Sequence, residues 1–91
     1  MTAVIVVLKI MPASPETNLD HLLLDAEKQV TAHEGKLYRH EIQPIAFGLK
    51  ALLLTIVVDE DKGSTDALEE KIAGLHGVES CTVTSVSRAL G

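Results

Sequence analysis

The sequence predicts an α+β fold, a ferredoxin-like sandwich with the element order β-α-β-β-α-β. Residues 3–10 and 49–58 are almost continuously apolar and rich in β-branched side chains, as central strands of a sheet are. Residues 36–42 and 78–86 mix polar with apolar side chains, which favours edge positions. Apolar residues recur at helical spacing after residues 3–10 and again after residues 49–58. We therefore expect a four-stranded antiparallel sheet of order 4-1-3-2 with both helices on one face.

The first helix follows a break that contains two prolines. Pro12 and Pro15 are expected to end the first strand, because proline lacks an N–H and restricts the residue before it. Asn18 is a favoured N-cap residue, so a helix is predicted to begin directly after it. The helix is predicted to end near Ala32, since Glu34-Gly35 supplies a stop signal.

The second helix and the last strand are bounded by similar signals. Ser64 or Thr65 is expected to cap the helix, and Gly74 and Gly77 to close it. The fourth strand follows directly. Residues 87–91 are then expected to form a short tail.

Length and composition limit the function. The 91 residues are predicted to form one domain, 1–91, with a modest core and no deep cleft between two lobes. Thirteen acidic residues against eight basic ones give a net charge of −5, the wrong sign for nonspecific binding to nucleic acid. Tyr38 and Phe47 are the only aromatic residues, so the central strands lack the stacking rings of RNA-binding sheets.

Neither a membrane span nor a secretory signal is predicted. The longest N-terminal apolar run, residues 3–8, has no basic residue before it and falls well short of the roughly 18 residues of a span. Cys81 is the single cysteine, so we expect no internal disulfide and a thiol-reducing compartment. A cytoplasmic location is the default expectation.

The residues for covalent chemistry, for a metal or for a cofactor are not found in the sequence. Its four histidines include no i, i+4 pair, and no CxxC motif occurs. The loop before the first helix has neither a glycine nor a basic residue to hold a phosphate. Cys81 has no activating base near it in sequence, and the acidic residues 59–61 read as a solvated turn because they lack calcium-loop spacing. We therefore expect neither an enzyme nor a cofactor site.

Two features remain as candidate contact regions. The central strands are apolar on both alternating faces although helices cover only one, so apolar surface is expected on the open face. Short aliphatic side chains that are simply tolerated there are an equal alternative. The second feature is Phe47, in a loop-like segment between Pro44 and Gly48. A ring in an exposed turn is a good anchor for a partner's pocket, unless it folds back over the sheet edge.

Motifs along the chain resemble one known family. Residues 44–49, Pro-Ile-Ala-Phe-Gly-Leu, and the apolar strand 51–58 after them resemble the guanine-nucleotide exchange domain of translation elongation factor 1-beta, in its short archaeal form. The opening residues 7–12, Val-Leu-Lys-Ile-Met-Pro, are similar to the start of that family. Residues 77–80 and 86–91 match its closing pattern. The resemblance covers essentially the whole chain, in register, and implies the same ferredoxin-like sandwich.

The resemblance also implies a function. Members promote GDP release and GTP loading on the GTPase elongation factor 1-alpha during protein synthesis, by protein contact and without covalent chemistry. In the longer members, the Phe of the turn docks in the partner's second domain, and a Lys near the C-terminus reaches the Mg²⁺ and γ-phosphate region. Phe47 matches the first residue, and Arg88 falls at the position of the second. The partner-binding residues implied are Pro44, Ile45, Ala46, Phe47, Gly48, Arg88 and Leu90.

Alternatives stay open for the residue and for the function. Arg88 is otherwise a solvated charge in the tail. The alternative function is a ferredoxin-like regulatory module that binds a small ligand or self-associates through its open sheet face, and the apolar central strands motivate it.

Overall fold

Six elements follow one another in the predicted order. The structure is a computed structural model, and it describes residues 3–59 and 65–88. The elements are β1 (Ala3–Pro12), α1 (Leu19–Ala32), β2 (Lys36–Pro44), β3 (Lys50–Asp59), α2 (Asp66–Ala73) and β4 (Val78–Arg88).

The four strands form one antiparallel sheet in the order β2-β3-β1-β4. This order is the predicted 4-1-3-2 read from the other edge, so the predicted topology is confirmed. The two apolar runs are central, because a strand with neighbours on both sides buries the residues of its helix-facing side and half-buries those of the other side. Both polar runs lie at the edges, as expected.

The core lies between the sheet and the two helices. Every second residue of β1, namely Val6, Leu8 and Ile10, is buried, and β3 contributes its alternate residues in the same way. The helices supply residues at helical spacing, and those from α1 and α2 are Leu22, Ala26, Val30, Leu68 and Ile72. All of these side chains are aliphatic. Burial of each large one contributes about 1.5–3 kcal/mol to the stability of the fold.

β1 and β2 are longer than predicted, because both end on a proline in the sheet. β1 was expected to stop at Ile10, but it continues to Pro12, which pairs with Val78 of β4. The pairs of β1 with β3 end at Ile10, so β1 has one neighbour at Pro12 and a missing N–H is tolerated there. Pro44 ends β2, an edge strand, for the same reason. The expectation that both prolines lie outside the strands is wrong.

The expected tail is also partly wrong, since its first two residues belong to β4. Ser87 pairs with Ile5 and Arg88 with Val4. These pairs bond the backbone N–H and C=O groups of the N-terminal half of β1, and such bonds do not depend on the side chains being apolar. Residues 89–91, among them the candidate Leu90, lie outside the described residues. So do the other predicted cap, Ser64, and most of the acidic turn before it.

The predicted cap of α1 is confirmed, and its end is a Schellman motif. The side chain of Asn18 accepts a hydrogen bond from the N–H of His21 at 3.1 Å. At the other end, the N–H of Gly35 donates to the carbonyl of Val30 and the N–H of Glu34 donates to that of Thr31, both at 2.9 Å. α2 begins after Thr65, whose side chain makes no capping hydrogen bond, and Gly74 is its C-cap.

The stop signal of α1 does not use its glycine in the usual way. Glu34, not Gly35, takes the left-handed conformation, with φ of 64°. Gly35 is required for space instead. A Cβ on it would lie 2.9 Å from Cγ1 of Val58 and 3.3 Å from the carbonyl oxygen of Val57.

We predict that Gly35→Ala destabilises the protein by about 1–3 kcal/mol, because the added methyl group overpacks the contact between α1 and β3. Gly74→Ala is the matched control, since the nearest atoms to its Cβ would lie at 3.5 Å or more. Urea denaturation of both variants measures the difference. Equal stability of the two variants would show that the contact at Gly35 has room to spare.

Candidate partner-binding site

The connection between β2 and β3 is a tight turn of type I′. The N–H of Leu49 donates to the carbonyl of Ala46 at 2.9 Å, and Phe47 and Gly48 between them have φ of 54° and 80°. Two central residues with positive φ define this turn, whose twist matches that of the strands it joins. The N–H of Ile45 adds a second bond of 2.9 Å, to the carbonyl of Leu49. The loop-like segment predicted here is therefore a closed hairpin tip.

Phe47 occupies a position in this turn that normally belongs to Asn, Asp or Gly. For another L-residue, the left-handed conformation costs about 1–2 kcal/mol, because Cβ crowds the following carbonyl. The ring is 97% exposed, so no packing within the chain offsets that cost. The alternative that the ring folds back over the sheet edge is wrong. Uncompensated backbone strain at an exposed aromatic residue is typical of a functional position.

Phe47 belongs to an exposed apolar group at this end of the sheet, which we call the turn cluster. Its other members are Ile42 and Ile45, two more of the six large hydrophobic residues that are exposed within the described ranges. The remaining three are scattered over α1, β2 and β4. Pro44, Ala46 and Gly48 of the predicted site are exposed around the cluster. The turn thus gathers five predicted residues in one place: Pro44, Ile45, Ala46, Phe47 and Gly48.

A groove of about 320 Å³ runs beside the turn, between it and the loop from β1 to α1. Its walls include Pro15 and Gly48, and carry opposite charges on Asp20 and Lys50. The loop side is stiff, because the N–H of Thr17 donates to the carbonyl of Ser14 at 3.2 Å, with further hydrogen bonds between these two residues. Sequence reasoning missed this groove. The one signal of it in the sequence is the pair of prolines, Pro12 and Pro15, which by themselves indicate only a strand break.

Arg88 lies at the opposite end of the sheet from the turn. It is exposed, ends β4 and pairs with Val4, near the start of β1. The turn lies beyond the other end of β1, where Ile10 pairs with Leu52. At a rise of about 3.3 Å per residue, the two regions are about 30 Å apart along the strands. The structure therefore does not bring Phe47 and Arg88 together, and a partner that touches both must span the length of the sheet.

No other described group offers reactive chemistry. Burial raises the pKa of the Cys81 thiol to about 11, with a smaller contribution from the charge of Glu69, so the thiol is protonated at neutral pH. Within residues 3–59 and 65–88, His, Cys, Asp and Glu side chains do not gather in groups of three that could hold a metal ion. Neither helix of this part of the chain is long and apolar enough to cross a membrane.

We predict that Phe47→Asn raises the stability of the protein by about 0.5–1.5 kcal/mol, because Asn tolerates the left-handed conformation and no buried contact is lost. Phe47→Ala is the control, since it also removes the ring, but Ala tolerates the left-handed conformation less well than Asn does. Thermal and urea denaturation of the two variants test this. A less stable Phe47→Asn variant would mean that the ring supports the fold after all.

Three comparisons with known proteins show which family and which fold this chain resembles. The EF-1 guanine nucleotide exchange domain matches residues 5–89. Elongation factor 1-beta of Saccharolobus solfataricus is 44% identical over 89 residues, covering 97% of each chain. That of Sulfurisphaera tokodaii has the same identity and coverage. The C-terminal domain of the MgtC protein from Mycobacterium tuberculosis, at 12% identity and a TM-score of 0.57, covers 98% of this chain and 88% of its own, and shares the fold alone.

These matches confirm the function predicted from the turn and closing motifs, guanine-nucleotide exchange in translation elongation. The family is one of exchange factors, not of catalysts of covalent chemistry. Because the match covers nearly all of the 91 residues, this chain belongs to the EF-1 guanine nucleotide exchange domain family.

Proposed function

We propose that residues 1–91 act as one exchange domain, which promotes GDP release and GTP loading on elongation factor 1-alpha through contacts at both ends of the sheet. The observation that carries this proposal is Phe47, whose ring is 97% exposed on a strained backbone. The fold gains nothing from the ring in that position. A partner pocket that receives the ring would bury nearly all of the ring's apolar surface.

The physical principle is competition between two ligands of one GTPase. A GTPase holds GDP through Mg²⁺, a P-loop lysine and backbone N–H groups. An exchange factor that prefers the nucleotide-free GTPase weakens its hold on GDP, and by linkage GDP weakens the hold on the factor by the same ratio. GTP, once bound, then expels the factor.

Phe47 supplies the binding energy at one end. An aromatic ring that passes from full exposure into a fitted pocket is a typical interface hot spot. The type I′ turn fixes the backbone of Phe47 before docking, so only the rotamer freedom of its side chain is lost on binding. Ile42 and Ile45 add further exposed apolar surface at the same end of the sheet.

Arg88 acts at the other end. In the docked complex, the roughly 30 Å between the turn and Arg88 lets one end hold a separate domain while the other reaches the nucleotide site. A fixed positive charge there competes with Mg²⁺ for the phosphates and carboxylates around it. Arg presents a planar fork where the longer relatives have the compact charge of Lys, so it pairs with two oxygen atoms at once.

We predict that this protein speeds the release of fluorescent GDP from archaeal elongation factor 1-alpha, and that Phe47→Ala weakens binding to the nucleotide-free form by about 2 kcal/mol or more. Tyr38→Ala is the matched control, because Tyr38 is the other aromatic residue and is 73% exposed on β2, away from the turn. Failure of the intact protein to speed release at saturating concentration would reject the proposed function.

We predict that Arg88→Ala slows GDP release at saturation by a larger factor than it weakens binding, because its charge acts on the nucleotide site and not on docking. Arg88→Lys should retain most of the release rate, since the charge remains. Stopped-flow release and calorimetric binding, measured on the same samples, separate the two effects. A loss of affinity as large as the loss of rate would instead make Arg88 an ordinary docking contact.

A further inference from the structure

The sheet face that the helices leave uncovered, here called the open face, carries an ordered pattern of side chains. Cross-strand partners point to the same face, so the register assigns each residue to a side. Residues that alternate with the buried core residues form three rows across the strands in the order β2-β3-β1-β4. The rows are Lys36-Val57-Ile5-Ser87, Arg39-Thr55-Val7-Ser85 and Glu41-Leu53-Lys9-Thr82.

The rows divide the open face into an apolar centre and polar margins. Val57, Ile5, Val7 and Leu53 occupy the two central strands and are only half-buried, because no helix covers them. On one side, the β2 positions carry charged groups. On the other, the β4 positions carry hydroxyl groups. An apolar centre with a polar rim is the usual anatomy of a protein–protein interface.

Charge is unevenly distributed between the two faces of the domain. The three rows contain Lys9, Lys36 and Arg39 against one acidic residue, Glu41, which pairs with Arg39 at 3.0 Å. Asp59 pairs with Ala3 one position beyond the rows, so it shares their face and offsets a second of the three positive charges. The helices, in contrast, carry six carboxylates and two lysines. In a chain of net charge −5, the described part therefore presents a weakly basic open face, whose unpaired cations are Lys9 and Lys36, and an acidic helical layer.

We propose that the open face is the central docking surface for the GTPase, and that it receives an aliphatic patch with carboxylates opposite Lys9 and Lys36. This inference rests on the proposed function and specifies its interface. The charge pattern favours this occupant: a second copy of this chain would bring Lys9 and Lys36 of one face toward those of the other, and RNA would find no aromatic residue in the rows to stack on.

Size and continuity support the same occupant. Four strands about 4.8 Å apart and about eight residues long offer on the order of 500 Å². A stable interface buries about 800 Å² on each partner, so the open face needs additional contacts. The hairpin tip with Ile45 and Phe47 lies beyond one end of the rows and supplies them. Arg88 follows Ser87 at the other end, but its pairing with Val4 assigns it to the helical side of the sheet. The open face and the hairpin tip therefore form one docking surface, which ends at the ring of Phe47.

The test reverses two charges on each face and compares the results. Lys9→Glu with Lys36→Glu changes the open face, and Lys28→Glu with Lys71→Glu makes the same change in net charge on exposed positions of the helices. The open-face pair should weaken binding to nucleotide-free elongation factor 1-alpha at least about tenfold and reduce its salt dependence. The helical pair should change affinity by no more than about twofold.

A second variant tests the apolar centre without a change of charge. Val7→Thr with Val57→Thr keeps the shape and strand propensity of both side chains but makes the surface polar. It should also weaken binding several-fold, with no change in melting temperature beyond a few degrees. All three double variants change only exposed or half-buried positions, so each is expected to fold. A melting curve of each variant checks this.

The outcomes separate this inference from the proposed function. If the two charge reversals change the affinity equally, or if neither changes it, the docking surface is overturned. Normal GDP release by the intact protein in that case leaves the exchange function standing. A concentration-dependent dimer that the valine variant abolishes, seen by light scattering, assigns the face to a second copy and also overturns it. Binding without release, lost only in the open-face variants, supports the surface and rejects the exchange function. An intact protein that neither binds nor releases rejects both.

Discussion

Burial of alternate residues on β1 and β3 against two helices is the constraint on which the rest of this molecule depends. Side chains on a strand alternate between faces, so a slip of one residue would expose Leu8 and Leu54 and bury Lys9. The core therefore fixes the register. The register in turn decides which residues reach the open face and which end of the sheet carries the turn. Function at the surface is set by packing that lies beneath it.

How much could be predicted from the sequence depends on the range of the interactions involved. The sheet order and the cap at Asn18 follow from periodicity and local chemistry, and both are confirmed. The end of β4 could not be predicted, because Ser87 and Arg88 are ordered by backbone pairing with β1 and not by their own preferences. Gly35 is similar: its need for space comes from Val58, which is distant in sequence.

The candidate site shows the same division. The sequence singled out Phe47 by its type and its neighbours, Pro44 and Gly48. It did not reveal the left-handed backbone of Phe47, since Phe-Gly lacks the Asn or Asp that usually signals a type I′ turn. Nor did it reveal the groove beside the turn, which forms only when the loop after β1 packs near Gly48. Local composition identified the residue, and the tertiary structure supplied its geometry.

The separation of the two ends bears on how a chain this small can act on a nucleotide site. Antiparallel strands held by hydrogen-bonded pairing along most of their length resist stretching, so the distance from Phe47 to Arg88 is nearly fixed before a partner binds. The affinity gained by docking Phe47 then also holds the charge of Arg88 in position about 30 Å away. Arg88 alone would bind there only weakly. A flexible linker of the same reach would lose much of that advantage to conformational entropy. The apolar, hydrogen-bonded sheet is therefore itself part of the exchange mechanism that we propose.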